Sequence, residues 1–184
     1  MGQVYDAIDD RVADFIRAQR VFFVATAPLG AGGHVNLSPK GLDTFAVLDR
    51  HTVAYLDLTG SGVETIAHLR ENGRITICFA AFDGPPKIVR LYGRGSVIVR
   101  EDPGFEAVAA HFPPHLGTRS VIRVAVERVA DSCGYAVPEF EFVRDRRQLV
   151  QWAERKGPDG IRAYRDEKNR ASIDGLPGLD GSHG

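Results

Sequence analysis

Cysteine is scarce in this sequence: only Cys78 and Cys133 occur among 184 residues. Two cysteines supply neither a disulfide framework nor a zinc quartet. A charge excess is missing too. Twenty-three basic residues meet 24 acidic ones, for a formal net charge of -1. A general nucleic-acid binder would carry a basic excess or stripe, and a disordered acidic tail the reverse, so neither describes this chain. Long apolar runs are also absent, and none approaches the roughly 20 residues of a membrane span. The N-terminus, Met-Gly-Gln-Val-Tyr-Asp, is polar and acidic rather than basic and then apolar, so no signal peptide is expected. No metal site is expected from the histidines, His34, His51, His68, His111, His115 and His183. The expectation is one soluble, cytoplasmic domain with no metal, nucleic acid or membrane among its partners.

What is present is 43% apolar residues, enough for one core, with 20 glycines and 10 prolines that imply many turns and short strands. Val4, Ile8, Val12, Phe15 and Ile16 recur at three- and four-residue spacing, which predicts a helix. Apolar, β-branched runs predict strands over 21–27, 34–38, 52–58, 74–80, 87–92 continuing into 94–100, and 120–129. Residues 45–48 form a short apolar patch. A short helix is expected after Thr59-Gly60-Ser61-Gly62, closing near Asn72-Gly73, and another from Asp102-Pro103 to about His111. Two more are expected around 147–156 and 159–167, followed by a frayed tail over 175–184. Six or so hairpin-joined strands with few helices predict a mainly β fold, a small antiparallel barrel with helices on its rim.

Four segments could carry chemistry. In Asn36-Leu37-Ser38-Pro39-Lys40-Gly41, Lys40 offers a fixed positive charge, Ser38 a hydroxyl, and Gly41 close backbone approach; the alternative is a polar hairpin exit. In Asp57-Leu58-Thr59-Gly60-Ser61-Gly62-Val63-Glu64-Thr65, a glycine-flanked turn opens into a helix, where free N–H groups and hydroxyls suit a phosphate. The spacing of Ser61 and Glu64 equally fits a plain capping box. The strand Lys87-Ile88-Val89-Arg90-Leu91-Tyr92-Gly93-Arg94 places Arg90 and Tyr92 on one face, which a solvated surface would also explain. Asp131-Ser132-Cys133-Gly134-Tyr135 holds a lone cysteine with no motif-like partner.

Taken in order, these pieces are similar to the pyridoxamine 5'-phosphate oxidase family of flavin-binding split-barrel proteins. The resemblance runs from Val21 to Val99. It includes Phe22-Phe23-Val24-Ala25-Thr26, Val35-Asn36-Leu37-Ser38-Pro39-Lys40-Gly41, Val53-Ala54-Tyr55-Leu56-Asp57, the Gly60-Ser61-Gly62 turn with the helix after it, and Val89-Arg90-Leu91-Tyr92-Gly93-Arg94-Gly95. The segment Asp131-Ser132-Cys133-Gly134-Tyr135-Ala136-Val137-Pro138 looks like a subgroup distinct from the vitamin-making enzymes. The resemblance implies a six-stranded antiparallel split barrel over 1–143, extended by C-terminal helices over 144–184. It further implies a homodimer holding FMN in a groove between subunits. Carried over by position, the cofactor-binding residues would be Asn36, Ser38, Lys40, Tyr55, Leu56, Asp57, Ser61, Thr65 and Arg90. Three positions depart from the family's pattern. Glu64 and Thr65 stand where an Arg-Lys pair opens the helix, and Ile88 stands where a glutamine reads the flavin edge. A phosphate would then rely on Lys40, Ser61, Thr65, backbone N–H groups and an arginine from elsewhere. The implied activity is FMN-dependent oxidoreduction with no strong acid-base residue; His68 and Tyr92 are the only candidates for that role. A deazaflavin-dependent reductase and a non-catalytic flavin- or haem-binding protein remain as alternatives, the near-neutral charge favouring FMN over a long anionic tail.

Overall fold

The computed structural model describes residues 2–180. The first helix is shorter than its apolar spacing predicts. Val4–Tyr5 form a two-residue strand, β1, paired with Ala130 and Val129 far along the chain. Helix α1 spans Asp10–Ala18, and the Asp9 side chain stops it from starting earlier by accepting the Val12 N–H at 2.8 Å. Strands β2 (Phe22–Thr26), β3 (Asn36–Lys40), β4 (Phe45–Asp49) and β5 (Thr52–Leu58) follow. Helix α2 (Glu64–Asn72) ends at Gly73, whose φ of 71° lets its N–H return to the Leu69 carbonyl. Strands β6 (Arg74–Ala80) and β7 (Ile88–Val99), helix α3 (Phe105–Ala109), strand β8 (Thr118–Ser132) and helix α4 (Gln148–Lys168) complete the order.

The sheet runs β3-β2-β6-β7-β8-β5-β4, antiparallel at every pairing, with β1 added beside β8. It has eight strands, not six. The apolar patch at 45–48 is strand β4, and β1 was hidden inside a helical pattern. β7 runs unbroken past its glycines, as one strand with a register shift between Tyr92 and Gly93. Glycine is required there because a Cβ would run into the Ala125 carbonyl.

The sheet curls until its two ends meet. Phe22 of β2 and Phe45 of β4 lie with ring centroids 5.0 Å apart, and Lys40 of β3 reaches Asp57 of β5. The end strands β3 and β4 do not pair with each other, so the barrel stays split. Its interior holds Val24, Tyr55, Ile77, Phe79, Leu91, Ile122 and Val124, closed at the rim by α1 and α2. β5 is buried on both faces: Val53 and Tyr55 enter the barrel, whereas Ala54 and Leu56 pack outward on Phe105 and Phe112.

The C-terminal region folds back onto this frame. Gly157, at φ 63°, and Pro158 divide α4 into two helical stretches, matching the two helices expected from sequence. The segment after α4 is not frayed through Asp180. Ala171 bridges to Pro177, Leu179 is buried, and Arg70 donates to the Gly178 carbonyl. The rest of the tail expected to fray, 181–184, lies outside the described residues. Among the described residues, no helix is long and apolar enough to cross a membrane.

Candidate functional site

Strand alternation gathers the site. On β3 the half-buried residues are Asn36, Ser38 and Lys40, while Leu37 and Pro39 face outward. Because the sheet curls, this row faces β5 and the start of α2. The Asn36 amide donates to Thr65 Oγ1 at 3.1 Å and to Thr26 Oγ1 at 3.3 Å, and Ser38 donates to Asn36 Oδ1 at 2.9 Å. Lys40 Nζ lies 3.0 Å from Asp57 Oδ1 and 5.9 Å from the centre of the Tyr55 ring. Five of the nine residues carried over by position are therefore bonded to one another in two sets, Asn36, Ser38 and Thr65 in one and Lys40 and Asp57 in the other. Tyr55 adjoins them through its ring.

The other three lie apart. Leu56 points to the opposite side of β5, into the second apolar cluster. Ser61 stands exposed on the turn. Arg90 donates to Ser132 Oγ at 3.0 Å across β7 and β8, with Tyr92 on the same outward face. The capping box at the turn does not form. Helix α2 starts at Glu64 with Val63 in the cap position and no side-chain cap bond. Glu64 instead folds over the turn, so that a Cβ on Gly62 would meet its carboxylate, and Glu64 Oε1 accepts the Ile173 N–H at 3.3 Å. His68 is fully buried, its Nδ1 3.0 Å from Thr26 Oγ1. Burial holds its pKa below the ordinary value against the opposing pull of Asp174, Glu64 and Glu71. Cys133 is an exposed free thiol. Among the described residues, no three His, Cys, Asp or Glu side chains gather to hold a metal ion.

The residues that complete the cluster carry no local signal in the sequence. Asp57 is fully buried, and its second oxygen, Oδ2, accepts from Arg119 Nε at 2.7 Å and from Ser120 Oγ at 3.4 Å. Arg119 Nη1 reaches the Gly62 carbonyl at 2.7 Å and Asn169 Oδ1 at 3.0 Å, and Asn169 Nδ2 donates to the Gly60 carbonyl at 2.9 Å. Arg165 adds a second guanidinium, donating from Nε to Thr59 Oγ1 and from Nη2 to the Thr118 carbonyl, both at 2.9 Å. Burial, with repulsion from Arg119 and Arg100, brings the Arg165 pKa down to about 10. Burial alone would raise the Asp57 pKa, but Arg119 and Lys40 outweigh it and hold the carboxyl well below the usual range. Lys40 and Arg119 against Asp57 leave one positive charge in surplus.

Two buried polar atoms here have no hydrogen-bond partner, the Tyr55 hydroxyl and His68 Nε2. An unpaired buried donor costs about 1–3 kcal/mol, so such atoms mark places where a further acceptor is favoured. The arrangement is a row of polar groups along one strand, bonded to one another and ending in an ammonium with net positive charge beside it. That set suits a polar, anionic ligand.

Residues 8–133 match the family described as pyridoxamine 5'-phosphate oxidase. The chain is 41% identical over 192 residues to the pyridoxamine 5'-phosphate oxidase family protein ustO of Aspergillus flavus, covering 95% of this chain and 77% of that one. Among solved structures, the H111A variant of HupZ from Group A Streptococcus is 26% identical with a TM-score of 0.55, over 68% of this chain and 99% of that one. A Lactobacillus delbrueckii protein crystallised as a candidate pyridoxamine 5'-phosphate oxidase superposes with a TM-score of 0.52 over 68% of this chain and 94% of its own. At 19% identity that likeness concerns the fold alone. On the extent of the family match and the identity to ustO, the chain belongs to the pyridoxamine 5'-phosphate oxidase family.

Proposed function

We propose that this protein binds FMN through the Lys40 cluster and acts as an FMN-dependent oxidoreductase, cytoplasmic and homodimeric, with the flavin in a groove between subunits. In this reading residues 1–143 form the flavin-binding barrel and 144–184 extend it. The observation that carries the proposal is one row of β3, Asn36, Ser38 and Lys40, whose ammonium end keeps surplus positive charge beside it.

The residues present fit such a cofactor. Asn36 and Ser38 present polar groups along the strand edge. Lys40 faces negative charge, on a phosphate or on a reduced ring. A bound flavin supplies hydride chemistry at its ring nitrogen, and the protein supplies orientation and electrostatics. Among the described residues no group is set up for strong acid-base work at the cluster. The His68 ring is enclosed with Nδ1 engaged by Thr26, and Tyr92 lies on the outer face. The turn at Gly60–Gly62 is poorly suited to hold a phosphate by backbone alone. The Glu64 carboxylate lies over it and repels an anion there.

The test is the visible spectrum of the purified protein, followed by FMN titration of the wild type and Lys40→Ala. Two flavin bands and an affinity about tenfold weaker in the variant are expected. A single violet band would move the reading to a deazaflavin or to haem. A colourless protein that takes up no added FMN overturns flavin binding, and an unchanged affinity in Lys40→Ala overturns the role of the lysine. Turnover with a reduced nicotinamide and an artificial acceptor then separates an enzyme from a binding protein.

A further inference from the structure

The candidate site contains a buried carboxylate exactly where an anion-binding lysine would be weakened by it. Asp57 is fully enclosed, and Lys40 Nζ sits on its Oδ1. A lysine paired one-to-one with an aspartate has little charge left for a ligand. Here the aspartate is shared, because its other oxygen is held by Arg119 at 2.7 Å. The two cations differ in one respect. The Lys40 side chain is 19% exposed, whereas that of Arg119 is 4% exposed, with its bonds directed to Asp57, the Gly62 carbonyl and Asn169.

We infer that Arg119 is a positioning residue that selects an anionic ligand without touching it: by neutralising Asp57 from inside, it leaves the Lys40 ammonium free to hold the phosphate of a phosphorylated flavin. This rests on the proposed reading of Lys40 as a flavin ligand. It goes further by explaining how the site recovers positive charge where Glu64 and Thr65 open the helix. Arg119 is itself fixed by the C-terminal extension. Asn169, fully buried at the end of α4, accepts from Arg119 and anchors to the Gly60 carbonyl. The extension is thereby part of the site although none of its described residues hydrogen-bonds Lys40.

The experiment compares dissociation constants for FMN and for riboflavin, which lacks the phosphate, in four proteins: wild type, Arg119→Met, Asp57→Asn and the double variant. Arg119→Met weakens FMN about tenfold and leaves riboflavin unchanged, Asp57→Asn tightens FMN, and the double variant returns within about threefold of the wild type. A purely structural role would shift both single variants in the same direction, and that result overturns the inference. So do equal shifts for FMN and riboflavin. The double variant removes the buried charge pair together, which cores tolerate better than an orphaned charge, so it remains decisive where a single variant does not fold. In it, a lost preference for FMN over riboflavin overturns the inference and a kept preference supports it. If the wild type binds neither flavin, the flavin reading falls and the charge sharing is judged alone, from Lys40 acylation followed by mass spectrometry. Acylation faster in Asp57→Asn and slower in Arg119→Met supports it; equal rates overturn it.

Discussion

At the scale of single residues, Asp57 is where burial and charge oppose each other most strongly. Burial favours its neutral form, and the two cations on its oxygens reverse that preference. Its pKa in the folded protein therefore lies below the unfolded value of about 4. The sign of the linkage follows: the stabilisation is present above that pH and is lost as pH falls through the folded pKa. Asp57→Asn should cost about 3 kcal/mol at neutral pH, since Arg119 and Lys40 lose their carboxylate. That gap should narrow as pH drops below about 4. Urea unfolding of both proteins across an acid series measures it, and a gap that stays constant down to low pH would show that Asp57 does not carry its charge in the fold. Lys40 and Asp57 were each visible in the sequence as a strand-end lysine and a carboxylate before a glycine-rich turn. Their pairing was not, because it depends on the curl of the sheet. Arg119 carries no signal for a different reason: it stands just ahead of the alternating run at 120–129, and only the register shift beside Leu58 and Thr118 accompanies its inward turn.

At the scale of elements, β5 and β6 were legible to the residue because each is a short apolar strand closed by turn residues. The start of α1 was misplaced because Val4 obeys a helical spacing yet pairs with Ala130, a long-range contact that no local pattern reports. The glycines of the tail predict fraying, yet its described part is held in place. His34 Nδ1 to Asp174 at 2.7 Å, Glu64 to Ile173 and Arg70 to Gly178 tie it across α2, through partners distant in sequence. The break in α4 was foreseen, and Gly157 explains it, since a φ of 63° is costly for any residue with a Cβ. Nothing lies within 4 Å of the place a Cβ would take, so Gly157→Ala isolates the backbone cost. Its expected effect is a loss of about 1 kcal/mol. Trp152, the only tryptophan, packs edge-on against Tyr164 across the break with ring centroids 5.0 Å apart, so its fluorescence during urea unfolding reports the change. Unchanged stability would mean that the helix axis, not Gly157, decides where the chain bends.

At the scale of the whole molecule, the outward face of the barrel bears on the proposed dimer. β3 is an end strand of the sheet, and the row opposite to Asn36, Ser38 and Lys40 is apolar: Leu37 is 65% exposed, and Val35 just before the strand 74%. Tyr92 is exposed on β7, and Phe140 and Phe142 project from the segment after β8. Large apolar side chains grouped on one chain are covered most simply by another copy. The strand that presents Leu37 outward is the strand that presents Lys40 to the cluster, so an interface on this face would lie one strand's thickness from the ligand. Leu37→Asp places a charge in that interface without disturbing the barrel interior. It should convert a dimer seen by light scattering into a monomer at micromolar concentration, with FMN affinity falling at least about tenfold in step, because a groove between subunits needs both. Far-UV circular dichroism should stay unchanged, which separates loss of assembly from loss of fold. A wild-type chain that scatters as a monomer and still binds FMN would place the cofactor on one subunit alone. A Leu37→Asp protein that dissociates without losing affinity would do the same.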